Sequence, residues 1–201
     1  MTHMESVTLE TPDPAAADVF VKAFGRDLPV RSRESQAPTS GFRGFTLSLV
    51  VPQPSTVDAL IGAAVEAGAT ELKPPKKSLW GYGGVVAGPD GTIWTVATSS
   101  KKDRGPETRQ IDEFILQLGV EDVAASKRFY VERGLEVAKS FGRKYVQFAS
   151  QSGPLTLALY GRRNLAKTAG VSPDGTGSHR IVINSAAGSF TDPDGFAWES
   201  A

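Results

Sequence analysis

The sequence has no cysteine and only two histidines, His3 and His179, among its 201 residues. Without cysteine there are no disulfides, thiolate zinc sites, iron–sulfur clusters or cysteine nucleophiles. Two histidines leave little for a histidine-rich metal site or for two-histidine catalysis. An excess of charge of one sign is also missing, because 22 basic residues balance 22 acidic ones. That balance gives no overall electrostatic footprint for nucleic acid or for a membrane surface. No apolar run approaches the ~18 residues of a membrane span. The opening MTHMESVTLE has no apolar signal core, and the expected location is cytoplasmic. Phosphate loops and dinucleotide fingerprints are absent, since the glycines of Trp80-Gly81-Tyr82-Gly83-Gly84 precede a strand rather than a helix. No G-x-S-x-G nucleophile elbow occurs.

What is present is a repeated grammar of strand, helix and further strands. The polar stretch 101–109, KDRGPETR with a preceding lysine, reads as a linker. Before it, Val7, Leu9 and Thr11 alternate with polar neighbours as in a half-buried strand. Asp13 then caps a helix that has Pro14 at its first position and ends near Phe24 before Gly25. Residues 28–34 suggest a second strand. Phe45, Leu47 and Leu49 share one face of the next strand, and Ser55 or Thr56 caps a helix over 56–67. A short strand near 71–73 and a loop PPKKSLWGYG follow, with strands at 84–87 and over TIWTVAT. After the linker the pattern restarts with the strand IDEFILQLGV, a helix over 122–132, and strands near 135–140, 144–149 and 155–160. Residues 161–178 read as a long polar loop with at most one helical turn. The strand HRIVINS passes within five residues, 185–189, to the final hairpin, too few for a crossover helix. No helix is expected between Ile183 and Phe190. Gly88-Pro89-Asp90-Gly91 and Asp192-Pro193-Asp194-Gly195 are turn sequences, each followed by a strand with a core tryptophan, Trp94 or Trp198.

The motifs IDEFILQLGVEDVAASKRFY at 111–130, AGATELKPP at 67–75, WGYGG at 80–84 and the two P-D-G hairpins together resemble the vicinal-oxygen-chelate superfamily. That group holds glyoxalase I, extradiol dioxygenases and the metal-free bleomycin-resistance proteins. The resemblance implies an α+β fold of repeated βαβββ modules, with curved mixed sheets and helices on their outer faces. Two modules are complete, 41–99 and 110–160. Two are partial, 4–35 and 178–199. The first glyoxalase-like half then spans 1–100 and the second 110–201. Each half is either a clipped domain, or the two fragments complete one another across the chain.

Metal-binding members place His or Glu at the start of the first strand and in the last strand of a module. In the first half those positions fall on Ser6, Gly44 and Thr95, none a useful ligand for a divalent cation. In the second half they fall on Glu113, Ala158, Arg180 and Glu199. Glu113, Arg180 and Glu199 would form an ion cluster, with the guanidinium bridging two carboxylates. A one-residue shift of the strand 179–184 substitutes His179 for Arg180, and Glu113, His179 and Glu199 would then hold one divalent metal ion. Trp80 and Tyr82, in a glycine-rich loop, are candidates to stack on a flat ligand. Lys73, Lys76 and Lys77 form a basic cluster, Arg162 and Arg163 another, and either could attract an anion. His3 is expected at a frayed terminus without a role. Tyr130 is expected to pack its helix on the sheet.

Three functions follow from these residues. The first is a metal-independent glyoxalase/bleomycin-resistance-like protein that encloses an unidentified small molecule, with no cofactor and with Glu113, Arg180, Glu199, Trp80 and Tyr82 at the ligand. The second is a metal-dependent lyase or dioxygenase using Glu113, His179 and Glu199. The third is a non-catalytic remnant with a filled cavity. The expected partners are a small-molecule ligand and, as in the resembled group, a second copy in a homodimer, with no nucleic acid and no membrane.

Overall fold

The structure, a computed structural model, describes residues 3–151 and 153–201. Met1 and Thr2 of the expected first half, and Ser152 of the module expected over 110–160, lie outside the described residues.

The chain opens with β1 (Met4–Thr11), α1 (Pro14–Val21) and β2 (Val30–Glu34). Asp13 caps α1 through an Oδ1 that accepts from Ala16 N at 3.0 Å, and Pro14 starts the helix. The helix stops at Val21, short of the expected Phe24, because Ala23 N and Phe24 N tighten onto Phe20 O and Val21 O. After β3 (Thr39–Gly41), the first complete module follows as β4 (Phe45–Val50), α2 (Pro54–Glu66), β5 (Thr70–Ser78), β6 (Gly81–Ala87) and β7 (Ile93–Thr98). The start of α2 corrects the expectation. Gln53 takes the cap position with no side-chain cap bond, and Pro54 rather than Ser55 or Thr56 begins the helix, its fixed φ suiting the first turn. Asp103, from the linker, supplies the missing acceptor by taking a hydrogen bond from Ser55 N at 2.8 Å. Gln53 ties the linker down as well, donating to Pro106 O at 2.8 Å and accepting from Arg104 N at 2.9 Å.

The stretch expected as a loop, PPKKSLWGYG, is instead the end of β5, a tip at Leu79-Trp80 and the start of β6. Pro74 and Pro75 fall where the β5–β6 register shifts, and β5 is an edge strand. Both positions tolerate a residue that cannot donate to the ladder.

The second complete module is β8 (Glu113–Val120), α3 (Val123–Glu132), β9 (Val137–Phe141), β10 (Tyr145–Phe148) and β11 (Thr156–Gly161). Asp122 caps α3, accepting from Ala124 N at 2.8 Å and Ala125 N at 3.1 Å. Those two backbone donors hold its carboxyl below the usual range. The polar segment expected as a loop contains α4 (Arg162–Ala169) and β12 (Gly175–Gly177). Only Leu165, Ala166 and Ala169 of α4 are buried, so its apolar stripe was too thin to read. Gly170 ends it in the left-handed conformation, φ 81°. The chain closes with β13 (Ile181–Ser185), β14 (Phe190–Thr191) and β15 (Ala197–Ser200), and no helix intervenes between Ile183 and Phe190.

The fold is α+β. The two complete modules join through their first strands into an eight-stranded sheet, β5-β6-β7-β4-β8-β11-β10-β9. The two partial modules join each other, in a five-stranded sheet β14-β15-β13-β1-β2. Its centre repeats the larger sheet's plan: antiparallel first strands β1 and β13, each flanked by a parallel partner, β2 or β15. The sheets therefore cut across the 1–100 and 110–201 halves, and the fragments complete one another. The small pair β3–β12 forms a third sheet.

The helix-bearing faces of the two main sheets are turned toward each other. From the turn that ends α1, Phe24 stacks on Trp94 of β7 at 4.7 Å, and Trp94 stacks on Phe114 of β8 at 6.2 Å. From α3, Tyr130 packs on Phe148 of β10 at 5.7 Å and on Trp198 of β15 at 5.4 Å. Trp94 and Trp198 are both buried, as expected. The Tyr130 hydroxyl donates to Asp192 Oδ2, while Asp192 Oδ1 accepts from Asp194 N and Phe196 N, both at 2.9 Å. One buried carboxylate thus links α3 to the last turn.

Burial pushes the Asp192 carboxyl up, against the pull of these donors. The folded state therefore holds the proton more tightly than the unfolded chain, so this group's contribution is full below about pH 4 and declines as pH rises through the raised value. Asp192→Asn should gain on the wild type as pH rises from about 4 through the raised value. Tyr130→Phe leaves a buried oxygen unpaired and should cost about 1–3 kcal/mol. Urea denaturation across that pH range checks both, and a pH-independent difference between wild type and Asp192→Asn would contradict the assignment. Asp103→Ala should cost about 0.5–2 kcal/mol through the lost cap on α2, measured the same way.

Candidate functional site

Alternation along the strands decides what each face of the large sheet presents. Phe45, Leu47 and Leu49 of β4 stand opposite Leu118, Leu116 and Phe114 of β8, and all six are buried on the helix side. The intervening residues, Thr46, Ser48, Ile115 and Gln117, meet on the other face, called here the open face. Ser48 continues across to Thr95 of β7, and Thr95 to Val85 of β6. Ala97 lies opposite Gly83, and Gly83 opposite Lys76 of β5.

Small side chains at Ser48, Gly83, Thr95 and Ala97 leave a hollow of about 320 Å³ on this face. Gly83 cannot easily be larger, because a Cβ there would lie 3.0 Å from Val96 O and 3.1 Å from Ala97 Cβ. Thr168 of α4 borders one side, Lys73 and Lys76 of β5 another, and Trp80 the hairpin tip. α4 is fixed in place partly by Lys73, whose Nζ donates to Lys167 O at 2.9 Å and Thr168 O at 2.6 Å, satisfying its last carbonyls.

Polar side chains run from the hollow across the rest of the open face. Thr46 Oγ1 donates to Gln117 Oε1 at 2.7 Å, and Gln117 Nε2 donates to the Tyr160 hydroxyl at 3.4 Å. A second chain runs from the Tyr145 hydroxyl to Gln147 Oε1 at 2.7 Å, and from Gln147 Nε2 to Glu113 Oε1 at 3.0 Å. The Tyr145 and Tyr160 rings meet edge to face at 4.9 Å. Burial raises both phenols above their ordinary range, so they act here as neutral donors and acceptors.

The expected Glu113–Arg180–Glu199 cluster does not form. Glu113 begins β8 in the large sheet, whereas Glu199 belongs to β15 in the small one. Glu199 pairs with Arg33, whose Nη1 lies 3.0 Å away, and the same guanidinium takes Glu10 at 2.7 Å. Arg180 adopts φ 53°, and its Nε and Nη2 donate to Ala37 O at 3.1 and 2.7 Å. That left-handed residue precedes β13, so strand alternation does not reach it. The shifted register fails too. Asn184 pairs with Glu199 and Val182 with Ala197, leaving His179 outside the strand. His179 stacks on Phe196 at 4.0 Å, with Nδ1 2.5 Å from Arg43 O and Nε2 3.1 Å from Asp194 O. Both ring nitrogens are thereby occupied.

Among the described residues, no group of three His, Cys, Asp or Glu converges as a metal site would require. The centre of the open face offers hydroxyls and an amide in place of carboxylates and imidazoles, a donor set that does not fit a divalent cation.

Trp80 borders the hollow and is 84% exposed. Tyr82 borders the hollow too, but its side chain reaches toward α2. Its hydroxyl donates to Asp58 of α2 at 2.8 Å, and burial with that carboxylate pushes its pKa up to about 12. Sequence reasoning missed Gln117, Gln147, Tyr145 and Tyr160 altogether. The available signal was a glutamine inside the apolar run FILQLGV, in phase with Glu113. A larger groove of about 740 Å³ lies near Glu113, between residues 24–29 and 109–114. It is walled mainly by loop and linker, and mixes Arg26 and Arg109 with Asp27, Asp112 and Glu113. The strand-built hollow is the better candidate, because side chains on paired strands are held more closely than side chains on loops. No helix among the described residues is long and apolar enough to cross a membrane.

No family model matches the sequence, and no curated protein matches it. Solved structures do match by shape. Glyoxalase I from Zea mays aligns with a TM-score of 0.62 at 15% identity, covering 98% of this chain and 91% of that one. Its V278E mutant aligns at 0.60 and 16% identity, with the same coverage. A putative dioxygenase from Bacillus subtilis subsp. subtilis str. 168 aligns at 0.57 and 14% identity, over 90% of this chain and 69% of that one. The chain therefore has the glyoxalase I fold, the fold of the vicinal-oxygen-chelate proteins, over nearly its whole described length.

Proposed function

We propose that this protein binds a small organic molecule, without a metal ion, in the hollow on the open face of its eight-stranded sheet. One observation carries this reading: four small side chains on three adjacent strands leave about 320 Å³ of space. Hydroxyls at Ser48 and Thr95 and the amide of Gln117 border that space and supply the few polar groups that orient a ligand. The metal-dependent alternative loses support, because Glu113, His179 and Glu199 are engaged by Gln147, by two backbone carbonyls and by Arg33. The filled-cavity alternative loses support from the hollow itself.

Ala97→Phe puts a ring into the hollow from an exposed strand position and should leave the fold intact. A thermal-shift screen of small molecules against wild type and this variant tests the proposal. At a ligand concentration 100-fold above Kd, stabilisation is about 2.7 kcal/mol, or about 5–11 °C for a chain of this size. Compounds that raise the wild-type Tm should leave Ala97→Phe unmoved. Equal shifts in both proteins would place binding elsewhere and overturn the reading.

A further inference from the structure

The hollow has a charge bias that the whole chain lacks. Among the described residues no aspartate or glutamate borders it, while Lys73 and Lys76 both do, in a protein whose 22 basic and 22 acidic residues cancel. Lys73 spends two of its three hydrogens on the α4 carbonyls. Lys76 makes no hydrogen bond or ion pair among the described residues, and it stands opposite Gly83 on the open face. Its ammonium is thus a free cation at the rim of a space with hydroxyl donors. The floor next to it is low and flat, because Gly83 and Ala97 carry almost no side chain. At the hairpin tip Trp80 has no aromatic partner among the described residues, whereas Trp94 and Trp198 are both packed in the core.

Resting on the ligand-binding reading above, we infer that the hollow takes a flat aromatic monocarboxylate: the carboxylate meets Lys76, the ring lies on the Gly83–Ala97 floor, and Trp80 stacks over it. One uncommitted lysine and neutral donors suit a single negative charge better than a phosphate dianion. The volume holds one or two fused rings. A cation would meet two ammonium groups and no counter-charge. The exposed indole and the lysine stem act together, since a ring on the floor offers its second face to Trp80.

Calorimetric titration with three probes built on one naphthalene ring tests the inference: 1-naphthoate, its neutral amide, and 1-naphthylmethylammonium. Wild type should bind the carboxylate at least tenfold more tightly than the amide and show no binding of the ammonium probe. Rising salt should weaken the carboxylate and not the amide. Lys76→Gln should weaken 1-naphthoate about tenfold or more and leave the amide unchanged, which also reports an intact fold. Lys76→Arg should restore the preference, and Trp80→Ala should weaken both probes. If the amide or the ammonium binds as well as the carboxylate, and Ala97→Phe abolishes that binding, the ligand class is wrong while the site stands. If 1-naphthoate fails to bind at millimolar concentration, the class is also wrong, and the site rests on the Ala97→Phe screen alone. Binding of 1-naphthoate that Ala97→Phe leaves untouched overturns both.

Discussion

The antiparallel pairing of β4 with β8 is the constraint on which the site depends. It runs from Phe45 opposite Leu118 to Val50 opposite Glu113, and it turns two four-stranded modules into one continuous sheet. Its register is held by apolar burial, because a slip of one residue would move Leu116 and Leu118 to the open face and Gln117 into the core. That same register brings Thr46 to Gln117 and Ser48 to Ile115, and so composes the centre of the open face. The small residues of β6 and β7 then matter only because this seam fixes where they lie relative to Gln117 and α4.

The five-stranded sheet follows the same plan with fewer parts. β1 and β13 form its seam, and β2 and β15 flank them. It lacks the outer strands that wall the hollow of the larger sheet. Its exposed face is occupied by the Arg33 fork to Glu10 and Glu199, and by Asn184, which accepts from Thr8 at 2.8 Å. Its other face buries Val7, Leu9, Ile183 and Trp198 in the common core. In this molecule the smaller sheet serves chiefly as a lid on the helix layer, with the Tyr130–Asp192 bond as its fastening.

Much of the fold was legible in the sequence because local signals agreed with tertiary need. The alternation at Phe45, Leu47 and Leu49, the Asp13 cap, the two P-D-G turns and the five-residue gap before Phe190 each had one physical reading. The failures share a cause of a different kind. Pro74 and Pro75 looked like a loop because an edge strand that tolerates proline cannot be told from sequence alone. α4 carries three buried residues in a polar frame, too few to show a period. Arg180 was assigned a face by alternation, but its positive φ takes it out of the strand, and no local signal marks an arginine for that conformation. The site was least legible of all. A hollow made by small residues on the β6–β7 pair and on β4, which is distant from them in sequence, appears only once the strands are paired. Of the basic cluster at 73–77, only pairing separates Lys76, opposite Gly83, from Lys77, opposite Tyr82 on the helix side.

The central claim is that ligand is held on the open face and not in the groove beside Glu113. Amide chemical-shift mapping of isotope-labelled protein during titration with a compound that stabilises it tests this most directly. The account predicts the largest shifts at Ser48, Gly83, Thr95, Ala97 and Gln117, with the indole N–H of Trp80 moving in step. Shifts concentrated at Arg26, Asp27, Arg109 and Asp112, with the open face unmoved, would contradict it.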